Sequence, residues 1–314
     1  MSGLADSASE HSLESLGWTE ADEKAWGSEP REDRIPARVT GLHRDHIVDL
    51  VSAEGGMLGK PAGRMLQGPT DATAMPAVGD WVAAGRDGTV HEVLPRRTTL
   101  ARRSPADRDR VQVLAANIDV VIVVSSLNKD HDLERLSRMV AMAQASGART
   151  VIALSKSDLV NDADPSLGEA EERFPDIEVL AFSSRTLDGL DRLRESLTPT
   201  ETVLLLGSSG VGKSTLANTL LGYDRQVTAE IRSKDDRGRH ATTSREMLGL
   251  PCGTLLIDTP GLRAPGLLVE EPPDERADEI ERLSQFCKFR NCEHRTEPGC
   301  AVLAAIEAGE LPAG

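Results

Sequence analysis

Apolar and polar residues alternate along the chain between residues 35 and 94. The run ARVTGLHRDHIVDLVSA has a period of two, which is typical of strands with one buried face. Asp87-Gly88 separates two further alternating runs, and this dipeptide favours a tight hairpin turn. The pattern predicts a small antiparallel barrel over this range.

A different pattern begins at residue 119, where short apolar runs are unbroken. Continuous Val, Ile and Leu runs separated by helices indicate a parallel sheet covered on both faces. The predicted strands are DVVIVVS at 119–125, TVIAL at 150–154, EVLAF at 178–182, TVLLL at 202–206 and TLLID at 254–258. The predicted helix between the first two strands has an apolar face formed by Leu133, Leu136, Val140 and Ala143.

The two ends of the chain lack both patterns. Residues 1–34 hold nine acidic and three basic residues, so we expect them to be mostly disordered apart from one short helix around Leu13, Leu16 and Trp18. Beyond residue 268 the sequence is acidic and helical before a cluster of cysteines. The predicted divisions are an extension at 1–34, a barrel at 35–98, an α/β domain at 112–268 and a small domain at 269–314.

The distribution of charged residues along the chain indicates which kinds of partner it could bind. The formal net charge is −15, yet residues 95–110 hold six arginines against two aspartates, and residues 231–245 hold five bases against two acids. Such local basic patches are compatible with an RNA partner. No apolar run reaches the roughly 20 residues that span a bilayer. Because no secretion signal begins the sequence either, we expect a cytoplasmic protein.

The segment GSSGVGKS at residues 207–214 matches the phosphate-loop pattern G-x-x-x-x-G-K-[ST]. It follows a predicted strand and opens a predicted helix, where backbone N–H groups can surround phosphates. Lys213 would reach the β- and γ-phosphates as a catalytic group, and the Ser214 hydroxyl would ligate Mg²⁺. The predicted nucleotide contacts of this loop are Gly207, Ser208, Ser209, Gly210, Val211, Gly212, Lys213, Ser214 and Thr215.

A second motif, Asp258-Thr259-Pro260-Gly261, ends the last predicted strand. Its carboxylate could hold Mg²⁺, and the N–H of Gly261 could meet the γ-phosphate. In the polar segment before it, either Thr242 or Thr243 could close over the metal as a switch threonine, with Thr243 the predicted magnesium ligand.

Activation of the attacking water needs a further group. Small GTPases carry a glutamine after the Asp-x-x-Gly motif, whereas this chain has Leu262, and an apolar side chain cannot orient water. His240 lies in the polar segment between the two motifs. We interpret it as the candidate catalytic residue that positions water.

The base is expected to be read by Ser155-Lys156-Ser157-Asp158, which follow the strand TVIAL and resemble the [NT]KxD motif of GTPases. In that motif the carboxylate accepts hydrogen bonds from guanine N1 and N2, which adenine lacks, and the lysine stem covers the ring. Ser155 departs from the usual Asn or Thr. Ser183 and Ser184, at the end of the next strand, resemble the guanine loop, so the predicted ligands are GTP and GDP.

The order of these motifs is unusual. Ordinary GTPases run from the phosphate loop through the switches to the guanine motif, whereas here the guanine motif precedes the phosphate loop. The predicted order is base-reading motif, guanine loop, phosphate loop, switch threonine and Asp-x-x-Gly. This order indicates a circularly permuted α/β P-loop GTPase domain, which exposed, neighbouring termini permit.

The cysteines suggest a metal. Cys287, Cys292 and Cys300 fall within 14 residues, and His294 lies among them in the pattern Cys-x₄-Cys-x-His-x₅-Cys. Three thiolates and one imidazole suit a closed tetrahedral site for one structural Zn²⁺.

Together these residues resemble the RsgA/YjeQ family of ribosome small subunit-dependent GTPases over about residues 35–300. The stretches that carry the resemblance are VGDWV (78–82), PRRT (95–98), AANIDVVIVVSSLN (115–128), GSSGVGKSTLAN (207–218), GRHATT (238–243), DTPGLR (258–263) and the cysteine cluster. The resemblance implies an all-β OB-fold barrel, the permuted GTPase domain and a small, mainly α, zinc-binding domain. It also implies GTP hydrolysis stimulated by the 30S subunit and its 16S rRNA during late maturation, by a monomer, with a catalytic role for His240.

Three other interpretations remain open at this point. The protein could be an assembly GTPase with a different RNA or protein partner, or an ATP-dependent P-loop enzyme with a zinc-ribbon module. It could also be a non-enzymatic RNA-binding protein with a decayed nucleotide site. Competition of GTP binding by GDP and ATP, and turnover with and without 30S subunits, would separate these.

Overall fold

The structure, a computed structural model, describes residues 12–28, 31, 33–67, 74–103, 111–127, 132–160, 165–208, 210–222, 245–258 and 300–307. The chain divides into two compact units, Met1–Leu268 and Val269–Gly314. The first unit contains a barrel and an α/β sheet.

Residues 12–28 form an N-terminal segment of the first unit, and its first turn lies where one short helix was expected. A 3₁₀ turn (Glu14–Leu16) is followed by α1 (Glu20–Gly27). Leu16 and Trp18 are buried in one cluster with Trp81, and the rings of Trp18 and Trp81 meet edge to face with centroids 4.6 Å apart. The acidic composition concealed this docking, because two or three large aromatic side chains supply most of the buried apolar area.

Truncating Trp18 tests this docking. We expect Trp18→Ala to lower the free energy of unfolding by about 3 kcal/mol, because a side chain that is 8% exposed is removed from a packed cluster. Chemical denaturation of the full chain measures it, with Leu58→Ala as a control because Leu58 is 53% exposed. Equal stability of the two variants would show that the segment is not docked in solution.

The barrel has five strands: β1 (Arg34–Leu42), β2 (Val48–Ser52), β3 (Gly55–Pro61), β4 (Trp81–Gly85) and β5 (Thr89–Val93). A short helix, α2 (Gly63–Gln67), follows β3. Their order is β1-β2-β3-β5-β4, and β4 closes the ring against β1. The interior is apolar and consists of Ala37, Val39, Val48, Leu50, Val82, Ala84 and Val90.

The predicted barrel is therefore confirmed, but the expectation that it is antiparallel throughout is wrong for one pair. β3 and β5 run parallel, with Lys60 opposite Thr89. Strand directions cannot alternate all the way around a closed ring of five strands, so one parallel pair is unavoidable. The predicted Asp87-Gly88 turn is present between β4 and β5, where Gly88 has φ +83° and donates its N–H to Gly85 O at 2.9 Å.

A two-stranded hairpin links the barrel to the α/β sheet. Its strands are β6 (Thr99–Arg103) and β7 (Val111–Ala116), which pair antiparallel. The basic stretch 95–110 therefore includes β6, an element that the sequence analysis did not predict. Side chains secure the junction, since Thr98 Oγ1 donates to Ile118 O at 2.7 Å and Asn117 Oδ1 accepts from Arg97 N at 2.9 Å.

The α/β sheet contains all five predicted strands: β8 (Val120–Ser126), β9 (Arg149–Ser155), β10 (Glu178–Ala181), β11 (Thr202–Leu206) and β13 (Leu255–Asp258). They are parallel in the order β10-β9-β8-β11-β13. The short strand β12 (Glu246–Gly249) adds antiparallel beside β13 and was not predicted. The helices are α3 (Leu133–Ala145), α4 (Pro165–Arg173), α5 (Leu190–Glu195) and α6 (Lys213–Leu221).

One buried arginine joins the barrel, the N-terminal segment and the α/β sheet. Arg38, on β1, donates to Leu16 O at 3.0 Å, to Asn117 O at 3.1 Å and to Thr202 Oγ1 at 3.0 Å. Its guanidinium lies 5.0 Å from the centroid of Trp81. Burial lowers the pKa of Arg38 to about 10, so the group stays charged at neutral pH.

In the second unit, the described residues are Cys300 and the helix α7 (Ala301–Glu307). Across the described residues of the chain, no helix combines the length and apolarity needed to cross a bilayer.

Candidate nucleotide-binding site

The phosphate loop runs from the end of β11 to the start of α6. Gly207 passes directly over the end of β8, because a Cβ built there would lie 2.3 Å from Val124 O. Gly210 and Gly212 have φ of +81° and +98°, which side-chain-bearing residues rarely adopt. Glycine is thus required at these positions for the backbone to curl around an anion at the start of α6.

Lys213, the first residue of α6, folds its side chain over the loop. Its Nζ donates to Gly207 O at 2.7 Å and to Ser208 O at 2.6 Å. Desolvation lowers the pKa of Lys213, while the nearby carboxylate of Asp258 opposes this shift. The ammonium therefore lies at the centre of the loop with one acidic group close to it, as a phosphate-binding cation should.

The residues expected to hold Mg²⁺ are partly described. Ser214 is the second residue of α6 and is exposed, as is Thr215. Asp258 ends β13, which pairs with β11 so that Leu204 lies opposite Ile257. Asp258 acts electrostatically on Lys213, so its carboxylate lies near the phosphate loop. Hydroxyl and carboxylate oxygens such as those of Ser214 and Asp258 are the kind of ligand that Mg²⁺ prefers.

The base-reading strand is tied to the phosphate loop by one hydroxyl. Ser155, at the end of β9, is buried, and its Oγ donates to Val211 O at 2.6 Å. The unusual serine therefore makes a direct hydrogen bond between the base-reading motif and the phosphate loop.

The turn after β9 is held to the end of β10. Lys156 has φ +63°, and Ser157 N donates to Phe182 O at 3.2 Å. Ser183 follows Phe182 and is fully buried, with Ser184 next in the same turn. The base-reading motif and the guanine loop thus form one surface.

Asp158 is the polar centre of that surface. Its Oδ1 accepts from Ser183 Oγ at 2.6 Å, and its Oδ2 accepts from Arg185 Nε at 2.8 Å. The Ser183 hydrogen bond, followed by that from Arg185, lowers the pKa of Asp158. The carboxylate is therefore ionised at neutral pH and can act as an acceptor. The sequence analysis missed Arg185, although its charge directly after Ser183-Ser184 was a visible signal.

The structure brings most of the predicted residues together at the carboxyl edge of the sheet, where ligands bind in open α/β folds. These are Ser155, Lys156, Ser157, Asp158, Ser183, Ser184, Gly207, Ser208, Gly210, Val211, Gly212, Lys213, Ser214, Thr215 and Asp258. The predictions that lie outside the described residues are Ser209, His240, Thr242, Thr243, Gly261, Cys287, Cys292 and His294.

The predicted zinc ligands are described only at Cys300. It is buried and directly precedes α7, and its Sγ accepts a hydrogen bond from Leu303 N at 3.4 Å. Within the described part of the chain, no group of three or more His, Cys, Asp or Glu residues could hold a metal ion.

Comparison with known proteins places these features in context. The family model described as RsgA GTPase matches residues 93–268. A protein of Opitutus terrae named "Small ribosomal subunit biogenesis GTPase RsgA" is 42% identical over 314 residues, which cover 95% of this chain and 85% of that protein.

Two solved structures share the fold. YjeQ from Thermotoga maritima has a TM-score of 0.57 and 25% identity, covering 89% of this chain and 93% of that one. YloQ, whose structure is described as a circularly permuted GTPase, has a TM-score of 0.51 and 22% identity, covering 90% and 91%. These similarities support the barrel followed by a permuted α/β domain.

Proposed function

The chain belongs to the RsgA GTPase family, and from that membership we propose that it hydrolyses GTP to GDP and phosphate during late maturation of the small ribosomal subunit. One observation carries the proposal. The hydrogen bond from Ser155 to Val211 joins a guanine-reading surface to a phosphate loop, so one nucleotide can contact both. Adenine lacks the two donors of guanine, so an ionised Asp158 at this place favours a guanine nucleotide over ATP.

We propose the following division of roles within the site. Asp158 accepts from guanine N1 and N2, and Lys156 covers the ring with its aliphatic stem. Lys213 leaves the carbonyls of Gly207 and Ser208 and donates to the β- and γ-phosphates, where its charge stabilises the transition state. Mg²⁺ bound with GTP by Ser214, Asp258 and Thr243 would neutralise developing phosphate charge.

Water is proposed to be positioned by His240, since Leu262 replaces the usual glutamine. His240 lies in the basic segment 231–245, and RNA phosphates would attract the neighbouring arginines. The 30S subunit and its 16S rRNA are thus the proposed partner that binds this segment and stimulates hydrolysis. A chain with this role works in the cytoplasm, as a monomer and without a membrane partner.

The domains are proposed to divide this work. The extension and the OB-fold barrel would occupy 1–34 and 35–98, the permuted GTPase domain 112–268, and the zinc-binding domain 269–314. Cys287, Cys292, His294 and Cys300 would hold one structural Zn²⁺. The buried Cys300 at the start of α7 supports this assignment.

Subunit-stimulated turnover of His240→Ala tests the proposed mechanism. We expect single-turnover hydrolysis with saturating 30S subunits to fall by about 10² to 10⁴-fold, because groups that position or activate water typically contribute this much. GTP affinity should change little, since the base and most phosphate contacts are retained.

A neighbouring variant separates chemistry from docking. Arg239→Ala should raise the 30S concentration needed for half-maximal stimulation while keeping turnover at saturation. If His240→Ala matches the wild type at saturation, the water-positioning group lies elsewhere. If 30S subunits stimulate neither protein, the proposed partner is wrong.

Exchanging Asp158 for asparagine tests the base assignment. We expect Asp158→Asn to weaken GTP binding by at least about 10²-fold, because a site built around two hydrogen bonds to guanine then offers it a donor in place of an acceptor. The same variant should gain affinity for xanthosine triphosphate, which carries an oxygen in place of the guanine amino group. Equilibrium binding of both nucleotides measures this.

Asp176→Asn is the matched control, because that carboxylate is exposed after α4 and outside the site. Unchanged GTP affinity in Asp158→Asn would remove the assignment of guanine to this surface.

A further inference from the structure

The carboxylate proposed to read guanine already holds a guanidinium from its own chain. Arg185 Nε lies 2.8 Å from Asp158 Oδ2, and the two side chains are 75% and 10% exposed. None of the roles proposed for phosphate binding or GTP hydrolysis involves Arg185.

The two partners of Asp158 differ in their exposure to solvent. Ser183 donates to Oδ1 and is fully buried, so it comes from the interior of the fold. Arg185 is largely exposed and reaches Oδ2 from the solvent. A nucleotide must also arrive from the solvent, so Arg185 covers the side of the carboxylate that a base would approach.

The chemistry of the two groups is alike. Guanine presents N1–H and N2–H₂ on nitrogens that share the carbon C2, which makes this edge a guanidine unit. Arginine presents a planar array of N–H donors around one carbon, and such forks match carboxylates. Arg185 therefore offers Asp158 the donors that guanine would offer.

Hydrogen bonds hold the main chain of Arg185 in place, whereas its side chain is largely exposed. Ser183 Oγ accepts from both Arg185 N and Thr186 N at 3.1 Å, and Ser183 N donates to Asp188 O at 2.9 Å. The turn is thus closed by its own hydrogen bonds, and they do not depend on the guanidinium. Moving the side chain away from Asp158 breaks one ion pair, in which the Arg185 side chain is exposed, and leaves the turn intact.

We propose that Arg185 is an internal surrogate for the guanine edge, which competes with GTP and GDP for Asp158 and is displaced when the base binds. This inference rests on the proposed function, since it takes Asp158 as the guanine reader. The competition lowers the affinity for both nucleotides by the same factor, because only molecules in which Arg185 has left Asp158 can accept the base. The guanidinium is 75% exposed, so water screens this ion pair and the factor is about two- to fivefold.

Removing the guanidinium tests the proposal. Arg185→Ala should bind GDP and GTP about two- to fivefold more tightly, and a fluorescent GDP analogue should associate correspondingly faster. Arg185→Lys should fall between the wild type and Arg185→Ala, because lysine keeps the charge but lacks the planar fork. Arg192→Ala, which removes an exposed arginine from the neighbouring helix α5, controls for the loss of one positive charge and should leave binding unchanged.

A second pair of variants tests whether the effect of Arg185 depends on the carboxylate of Asp158. In the Asp158→Asn background, Arg185→Ala should not change the affinity for xanthosine diphosphate, because asparagine offers no charge for the guanidinium to hold. Weaker or unchanged GDP binding by Arg185→Ala overturns the proposal, since weaker binding would mean that Arg185 orients the carboxylate instead. If Asp158→Asn itself leaves GTP affinity unchanged, the guanine assignment fails first, so the two failures are distinguishable.

Discussion

Replacing Lys213 with alanine should lower GTP turnover by about 10² to 10³-fold or more, because the variant loses a cation aimed at the transferred phosphate. The structure places Nζ 2.7 Å from Gly207 O and 2.6 Å from Ser208 O, at the centre of the phosphate loop. No other lysine or arginine of the described residues lies in this loop. Single-turnover hydrolysis with and without 30S subunits measures the loss.

Lys60→Ala is the matched control, because Lys60 is an exposed lysine of the barrel strand β3. Circular dichroism of Lys213→Ala should match the wild type, since the lysine bonds only to loop carbonyls that water can reach after truncation. Turnover within tenfold of the wild type would show that another cation neutralises the phosphates.

The second large effect concerns stability. Arg38→Met should lower the free energy of unfolding by about 3 to 5 kcal/mol, because it removes charged hydrogen bonds and leaves buried acceptors without a donor. The acceptors are Leu16 O, Asn117 O and Thr202 Oγ1, which belong to three separate segments. Methionine keeps most of the volume, so the loss reports the hydrogen bonds more than a cavity.

Chemical denaturation of the full chain measures this loss, and Arg44→Met is its control because Arg44 is exposed on the same barrel. Combining Arg38→Met with Trp18→Ala should cost less than the sum of the two, because both act on the segment around Leu16. A loss under about 0.5 kcal/mol, as for surface substitutions, would mean that the three segments hold together without Arg38.

The elements that the sequence predicted well are those encoded by local patterns. The strands β8, β9, β10, β11 and β13 are continuous apolar runs, and such runs are stable only when both faces of a sheet are covered. The phosphate loop was equally clear, because its glycines fit a known pattern. Gly210 and Gly212 meet a local requirement for positive φ, whereas Gly207 is required by the close approach of Val124 in β8. The motif order then indicated the circular permutation without any coordinates.

The elements that were missed depend on partners distant in the chain. β12 has four residues and pairs with β13 and β1, so its short pattern carries little signal. One short helix was expected around Trp18 in an otherwise disordered segment, but its partner was not, since Trp18 is buried against Trp81, which lies 63 residues further along. Composition counts charges over a segment, whereas docking is decided by a few large side chains and the surface that receives them.

The sequence by itself determined which residues are candidates for binding a guanine nucleotide, because glycine conformation, apolar runs and the chemistry of a carboxylate are properties of the residues themselves. Only the tertiary structure decided how these residues work together. Ser155 reaches Val211 across 56 positions, and Arg185 reaches Asp158 across 27. Such hydrogen bonds exist because parallel strands bring their carboxyl ends to one edge of the sheet, and no local pattern specifies which side chains meet there.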